Sequence, residues 1–134
     1  SGFILERTAK KMKQAFQQAL KTEGADITAD QWVVLDTLRK EGALSPFQIA
    51  ERVFKDRATL TRIIDLLCEK GLTERRTHEE DRRRFSVRLT ARGRDKTEAL
   101  LPLVRHFRHN GWRGLSSADL QELQRVLNIV FHNF

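Results

Sequence analysis

The chain has few of the residues that mark secreted, disordered or membrane proteins. Its one cysteine, Cys68, excludes an internal disulfide and a zinc site made of four cysteines. Two prolines and seven glycines in 134 residues are too few for a linker-rich, disordered or collagen-like chain. No apolar run approaches the ~18–20 residues of a membrane-spanning helix, and the first residues lack the pattern of a signal peptide. We therefore expect one domain over residues 1–134, in the reducing cytoplasm and away from membranes.

Positive charge is abundant, and most of it lies in the middle of the chain. The whole chain has a net charge of +7, from 25 Lys and Arg against 18 Asp and Glu. Residues 52–94 hold thirteen basic and seven acidic side chains, a net charge of +6, whereas residues 1–51 are neutral. A basic block inside a folded domain is typical of a surface that binds a polyanion, with a merely solubilising surface as the alternative.

Apolar periodicity and capping residues predict six helices. The first covers residues 3–21, and the last two cover about 91–109 and 116–134. Gln31 lies three residues after Thr28, as in a capping box, and Pro102 predicts a bend in the fifth helix. The predicted N-caps of the other five helices are Thr28, Ser45, Asp56, Thr90 and Ser116.

The spacing of apolar residues changes between the fourth and fifth helices. Residues 72–77 and 85–89 alternate, and the stretch 78–84 between them is entirely polar. They predict a hairpin with a charged tip, whose Phe85, Val87 and Leu89 pack on the helices. Three short helices followed by a hairpin describe a winged helix-turn-helix. The expected fold class is therefore mainly α (α+β), with the core at residues 28–90.

The fourth predicted helix has one apolar side and one polar side. Leu60, Ile64 and Leu67 define the apolar side, and the exposed N-terminal half holds only short side chains and arginines. A recognition helix presents such residues to base edges in the major groove, where arginine reads guanine and a threonine methyl touches thymine. An ordinary amphipathic helix is the alternative. The residues expected to contact bases or backbone are Arg57, Thr59, Thr61 and Arg62.

The hairpin tip carries three consecutive arginines, Arg82, Arg83 and Arg84. An arginine at such a tip can enter a narrow minor groove, where the negative potential is enhanced. Asp81 can hold one guanidinium by a charge-assisted hydrogen bond. Arg75, on the first strand, is expected to contact phosphate together with Arg82 and Arg84. A solvated basic loop is the alternative, because two glutamates lie beside the arginines.

The stretch from Asp81 to Thr90 resembles the wing signature of the MarR family of bacterial winged helix-turn-helix regulators. That signature is Asp-x-Arg, five residues and Leu-Thr, followed here by Gly93. Residues 59–67 and the following Gly71-Leu72 are similar to the family's recognition helix and its exit. The resemblance implies a homodimer that binds a pseudo-palindromic operator, usually as a repressor, with Arg83 in the minor groove. It also implies a small-molecule or redox signal that changes the separation of the two recognition helices.

The two ends of the chain carry more large apolar side chains than a small core can bury. Exposed, they would form the kind of apolar patch that marks an interface. A twofold dimer would bury them together, so residues 3–21 and 91–134 are expected to be dimerisation helices. A monomer with an extended helical cap is the alternative. The side chains concerned are Phe3, Ile4, Leu5, Phe107, Trp112, Leu123, Leu127, Val130, Phe131 and Phe134.

The sequence offers no support for catalysis. It has no glycine-rich phosphate loop, no His-Glu-x-x-His helix and no nucleophile with a recognisable base. Cys68 borders an apolar stripe and is typical of a core thiol, with a redox sensor as the alternative. His106 and His109 are interpreted as surface residues, with a metal site completed by Asp95 or His132 as the alternative. We therefore expect no enzyme, metal site or cofactor. Besides a DNA-binding regulator, the remaining hypothesis is an interaction module whose basic wing binds an acidic protein.

Overall fold

The computed structural model describes residues 1–134 as six helices and one two-stranded antiparallel sheet. The order of the elements matches the predicted order, and the mainly α winged helix-turn-helix class is confirmed. The elements are α1 (Gly2–Thr22), α2 (Ala29–Glu41), α3 (Pro46–Val53), α4 (Arg57–Glu69), β1 (Thr73–Thr77), β2 (Phe85–Leu89), α5 (Ala91–Gly111) and α6 (Ser117–Asn133).

Each of the five predicted N-caps accepts a hydrogen bond from a backbone N–H three residues later. The capping box predicted at Thr28 is present, and Ser45 and Ser116 form two more with Gln48 and Asp119. Such caps satisfy backbone donors that would otherwise lack partners at the start of a helix. Helix α5 continues through Pro102 to Gly111, so the proline does not end it.

The core lies where α2, α3 and α4 meet the sheet. Leu35, Ile49, Leu67 and Val87 are completely inaccessible to solvent. Leu44, in the loop between α2 and α3, exchanges two backbone hydrogen bonds with Val87, at 2.8 and 3.0 Å. These bonds join the hairpin to the helices, so the hairpin has a fixed place in the fold.

The two strands of the hairpin pair residue by residue in antiparallel register. Thr73 faces Leu89 at the open end, and Thr77 faces Phe85 next to the tip. Val87 and Leu89 are buried and Phe85 is half-buried, so the predicted packing face is confirmed. The polar stretch 78–84 forms the tip.

The terminal helices contribute little to the core of a single chain. Leu20 is the one buried residue of α1, and α6 has none. Exposed apolar side chains therefore run along both helices, including Phe3 and Phe131. A contact that holds α1 in place is the hydrogen bond from the Ala29 N–H to Gln17 Oε1, at 2.8 Å. None of the six helices combines the length and apolarity needed to cross a bilayer.

Gly93 marks a close approach between the start of α5 and the chain entering β1. A Cβ atom at position 93 would lie 1.9 Å from the carbonyl oxygen of Leu72, whereas a Cβ at Gly111 would meet nothing within 4 Å. Since backbone cannot yield as a flexible side chain does, Gly93→Ala should destabilise the fold by about 1–3 kcal/mol. Gly111→Ala is the matched control and should be neutral or stabilising by up to ~1 kcal/mol. Denaturant unfolding measures both variants, and equal stabilities would contradict this account of the contact.

Candidate nucleic-acid interface

Helix α4 begins at an N-cap with two hydrogen bonds. Asp56 Oδ1 accepts from the backbone N–H of Thr59 at 2.8 Å, and Oδ2 accepts from the Thr59 hydroxyl at 2.9 Å. The hydrogen bond from the backbone of Thr59 is the main reason why the pKa of Asp56 lies below its ordinary value. The bond from the Thr59 hydroxyl and the charge of Arg62 also lower this pKa. The first turn of α4 is thus fixed by an ionised carboxylate.

The predicted division of α4 into two sides is present. Leu60, Ile63, Ile64 and Leu67 are buried, and Arg57, Ala58, Thr61 and Arg62 are exposed, with Thr59 half-buried. The exposed side therefore presents two guanidinium groups and several small side chains, a surface that can enter a major groove.

The two threonines of this surface use their hydroxyl protons inside the protein. Thr59 donates to Asp56, and Thr61 donates to the carbonyl oxygen of Arg57 at 2.8 Å. While these bonds hold, neither hydroxyl can donate to a phosphate, and each threonine offers its methyl group instead. The free donors of the surface are the guanidinium groups of Arg57 and Arg62.

The tip of the hairpin places one arginine far into solvent. The side chain of Arg83 is 93% exposed, and Arg82 and Arg84 are exposed beside it. Asp81 Oδ1 accepts from the backbone N–H of Arg83 at 3.0 Å and lies 3.4 Å from its Nε. Asp81 thus holds the base of the Arg83 side chain, and the rest of the guanidinium stays free to bind.

Arg75 lies in a different environment from the other predicted arginines. Its guanidinium pairs with Asp65 of α4 and lies over the ring of Phe85, 5.4 Å from the ring centre. The side chain therefore connects α4 to both strands of the hairpin. Contact of Arg75 with phosphate stays a prediction, and its pairing with Asp65 is not visible in the spacing of the sequence.

A groove brings the recognition helix and the hairpin tip together. Arg57 of α4 and Arg83 and Arg84 of the tip line its walls. The first turn of α3 forms another wall, with Phe47, an apolar residue that is 64% exposed. His78 also lines the groove. The sequence reasoning missed Phe47 and His78, although an exposed position for Phe47 follows from its place on α3 away from the buried Ile49.

Two other side chains considered from the sequence, Cys68 and His106, each have one side-chain hydrogen-bond partner. Cys68 is half-buried, with its Sγ 3.2 Å from the Thr73 hydroxyl. His106 bonds to the side-chain amide of Asn110 at 3.1 Å. No three His, Cys, Asp or Glu side chains come together in an arrangement that could hold a metal ion.

Comparison with known proteins gives one consistent family. The family model described as MarR family matches residues 27–85. The HTH-type transcriptional repressor IacR of Pseudomonas putida is 30% identical over 131 residues, which cover 98% of this chain and 77% of IacR. The match to IacR therefore includes the terminal helices as well as the winged core.

Two solved structures are similar over nearly the whole chain. BpsR of Bordetella bronchiseptica, described in a study of how 6-hydroxynicotinic acid regulates its DNA binding, has a TM-score of 0.87. The two chains are 29% identical, and the match covers 96% of each. A cysteine variant of MarR from Escherichia coli, complexed with operator DNA, has a TM-score of 0.86. The two chains are 27% identical, and the match covers 96% of this chain and 91% of MarR.

The N-cap of α4 generates a prediction about pH. Because the pKa of Asp56 is lower in the folded chain, its contribution to stability is fully present above the unfolded value of ~3.9. The contribution disappears as the pH falls through the folded value. Asparagine also caps helices but carries no charge. The stability advantage of the unmodified chain over Asp56→Asn should therefore shrink below about pH 4.

Denaturant unfolding between pH 3 and 7 measures this difference. Glu80→Gln, at an exposed position of the hairpin tip, is the control for loss of a carboxylate that caps no helix. A difference between Asp56→Asn and the unmodified chain that stays constant over this range would contradict the prediction.

Proposed function

The chain belongs to the MarR family of transcriptional regulators, and from this premise we propose that it is a repressor that binds a pseudo-palindromic operator as a homodimer. The main support for the proposal is the groove that Arg57 of α4 lines together with Arg83 and Arg84 of the hairpin tip. A regulator of this kind acts beside the chromosome, so we place it in the cytoplasm. The members compared above are repressors and regulators of DNA binding, which agrees with the expectation of a protein that is not an enzyme.

Each predicted side chain has a role in this proposal that follows from its surroundings. Arg57 and Arg62 reach base edges in the major groove, and the methyl groups of Thr59 and Thr61 contact thymine methyls. Arg83 enters the minor groove, with Asp81 holding it in place. Arg82 and Arg84 bind phosphates and set the register of the protein on the duplex, and Arg75 does so from its position against α4.

The exposed apolar sides of α1 and α6 support the homodimer. Phe3, Leu123 and Phe131 are among the large apolar side chains that a single chain leaves in contact with solvent. Burial of such a side chain contributes roughly 1.5–3 kcal/mol, so a second copy is a favourable partner for these helices. A twofold dimer also presents two recognition helices, which can read two half-sites about one helical turn apart.

A cleft between α1, α2 and α5 supports regulation by a small molecule. Aromatic side chains from all three helices line it, namely Phe16, Trp32, Phe107 and Trp112. Lys13, Lys40 and Arg108 also line it, and Lys13 and Lys40 pair there with Asp30 and Asp36. Arg108 is therefore the cation of the cleft that has no carboxylate partner. A cleft with aromatic walls and cationic groups suits a flat, anionic ligand. We infer that the effector is an aromatic carboxylate, and the regulation of the similar BpsR by 6-hydroxynicotinic acid agrees with this class.

Arg83→Ala tests the proposed contact in the minor groove. The substitution should weaken operator binding by about 1–3 kcal/mol and leave thermal unfolding unchanged, since the side chain is almost fully exposed. Arg105→Ala, at an exposed position of α5, is the control for the loss of one positive charge. Binding is measured by titration of a labelled duplex that the unmodified chain has selected from a random pool. Equal affinities of the two variants would remove Arg83 from the mechanism.

Two measurements distinguish a DNA-binding regulator from a protein-interaction module: competition between duplexes, and the dependence of affinity on salt concentration. The selected duplex should outcompete a random duplex by at least ~10³, and affinity should fall as salt rises. Equal affinity for both duplexes would favour the alternative, in which the wing binds an acidic protein.

The two tryptophans of the chain allow a direct test of the cleft, because both line it. Titration with benzoate or 6-hydroxynicotinic acid should change the intrinsic fluorescence in a saturable way, and should release the selected duplex at the same concentrations. Arg108→Met should raise the concentration required, since it removes the positive charge of the cleft that no carboxylate pairs with. Saturable binding without any release of DNA would contradict the regulatory role.

A further inference from the structure

The turn between α3 and α4 consists of Phe54 and Lys55, directly before the N-cap of the recognition helix. Phe54 ends α3 in the left-handed conformation, with φ 51° and ψ 59°. That conformation is unfavourable for a bulky side chain and persists where the surroundings hold it. The contacts of these two residues therefore help to determine where α4 begins.

Lys55 is held by a carboxylate that is shared with another helix. Asp30, in the first turn of α2, has Oδ1 3.2 Å from Lys55 Nζ and Oδ2 3.0 Å from Lys13 Nζ of α1. Partial burial alone would raise the pKa of Asp30, but the hydrogen bonds from Lys13 and Lys55 outweigh it and lower the pKa. Asp30 thus stays ionised and connects α1 to the turn.

Phe54 is 77% exposed and makes one ring contact with the other terminal helix. Its ring packs edge-on against Phe131 of α6, with the ring centres 5.3 Å apart and the planes at 74°. Helix α6 has no buried residue of its own, and this ring contact joins it to the turn. The two helices with exposed apolar sides are therefore both connected to the turn of Phe54 and Lys55. Helix α6 contacts the turn directly, and α1 is connected to it through Asp30.

We propose that Asp30 is a positioning residue for DNA recognition, which transmits the placement of α1 to the start of α4 through Lys55. The inference rests on the proposed function, because it concerns how that function's recognition helix is held. Asp30 acts on the turn and not on DNA. Its contribution should therefore appear in the discrimination between duplexes, since base contacts depend on the exact placement of α4 and phosphate contacts do so less.

Asp30→Asn keeps the size of the side chain and removes the charge that binds both lysines. With the selected duplex, we expect affinity to fall roughly 2- to 30-fold, the range of substitutions that disturb coupling without touching the ligand. With a shuffled duplex of the same composition, affinity should stay within about twofold, because the cationic surface is unchanged. The ratio of the two affinities is the readout. The control is Glu6→Gln, which removes a carboxylate that pairs with Lys10 on α1, away from the turn.

A second pair of variants tests the contact that α6 makes with the same turn, and neither variant changes charge. Phe131→Ala removes the ring that packs on Phe54, whereas Phe134→Ala removes a fully exposed ring from the end of the same segment. Phe131→Ala should lower the ratio of affinities and Phe134→Ala should not. Sedimentation of both variants checks that they assemble alike.

An unchanged ratio in Asp30→Asn overturns the proposal. A loss of affinity that is equal for both duplexes and follows thermal stability also overturns it, because Asp30 would then serve the fold alone. If the unmodified chain itself shows no preference for the selected duplex, the proposed function fails instead, so the two failures are distinguishable.

Discussion

The recognition helix α4 is fixed in place against the hairpin, and both cationic surfaces rely on that placement. Two cationic groups can read one duplex together only if the distance between α4 and the hairpin tip does not vary. Buried Leu67 of α4 and Val87 of β2 belong to one core, and the backbone bonds between Leu44 and Val87 hold the hairpin to the helices. The pair of Asp65 with Arg75 adds a connection at the surface.

Two acidic residues near the interface fix the start of α4 and the base of one arginine without removing the positive charge of the region. Asp56 caps α4, and Asp81 holds the base of the Arg83 side chain. Both act through hydrogen bonds at fixed positions, while Arg57, Arg62 and Arg83 keep exposed guanidinium groups. Residues 52–94 therefore keep a net charge of +6 with a defined geometry, which suits a partner with regularly spaced negative charges.

Much of the fold could be predicted because its signals are local. A cap such as Ser45 followed by Pro46 acts within one helical turn, and alternation in residues 85–89 determines one face of a strand. The pairing of Arg75 with Asp65 and the position of Phe47 in one groove with the hairpin tip depend on how separate elements pack, so spacing along the chain does not contain them. For the same reason, the sequence showed an excess of apolar residues at the chain ends without showing that α6 reaches Phe54.

In the proposed complex, two chains place paired arginine-bearing surfaces on one duplex. Hydroxyl-radical footprinting of the selected duplex, together with the stoichiometry of the complex from sedimentation, tests it most directly. We expect two chains per duplex and two protected segments whose centres lie about 34–36 Å apart, one helical turn. One chain per duplex, or protection spread evenly along the DNA, would contradict it.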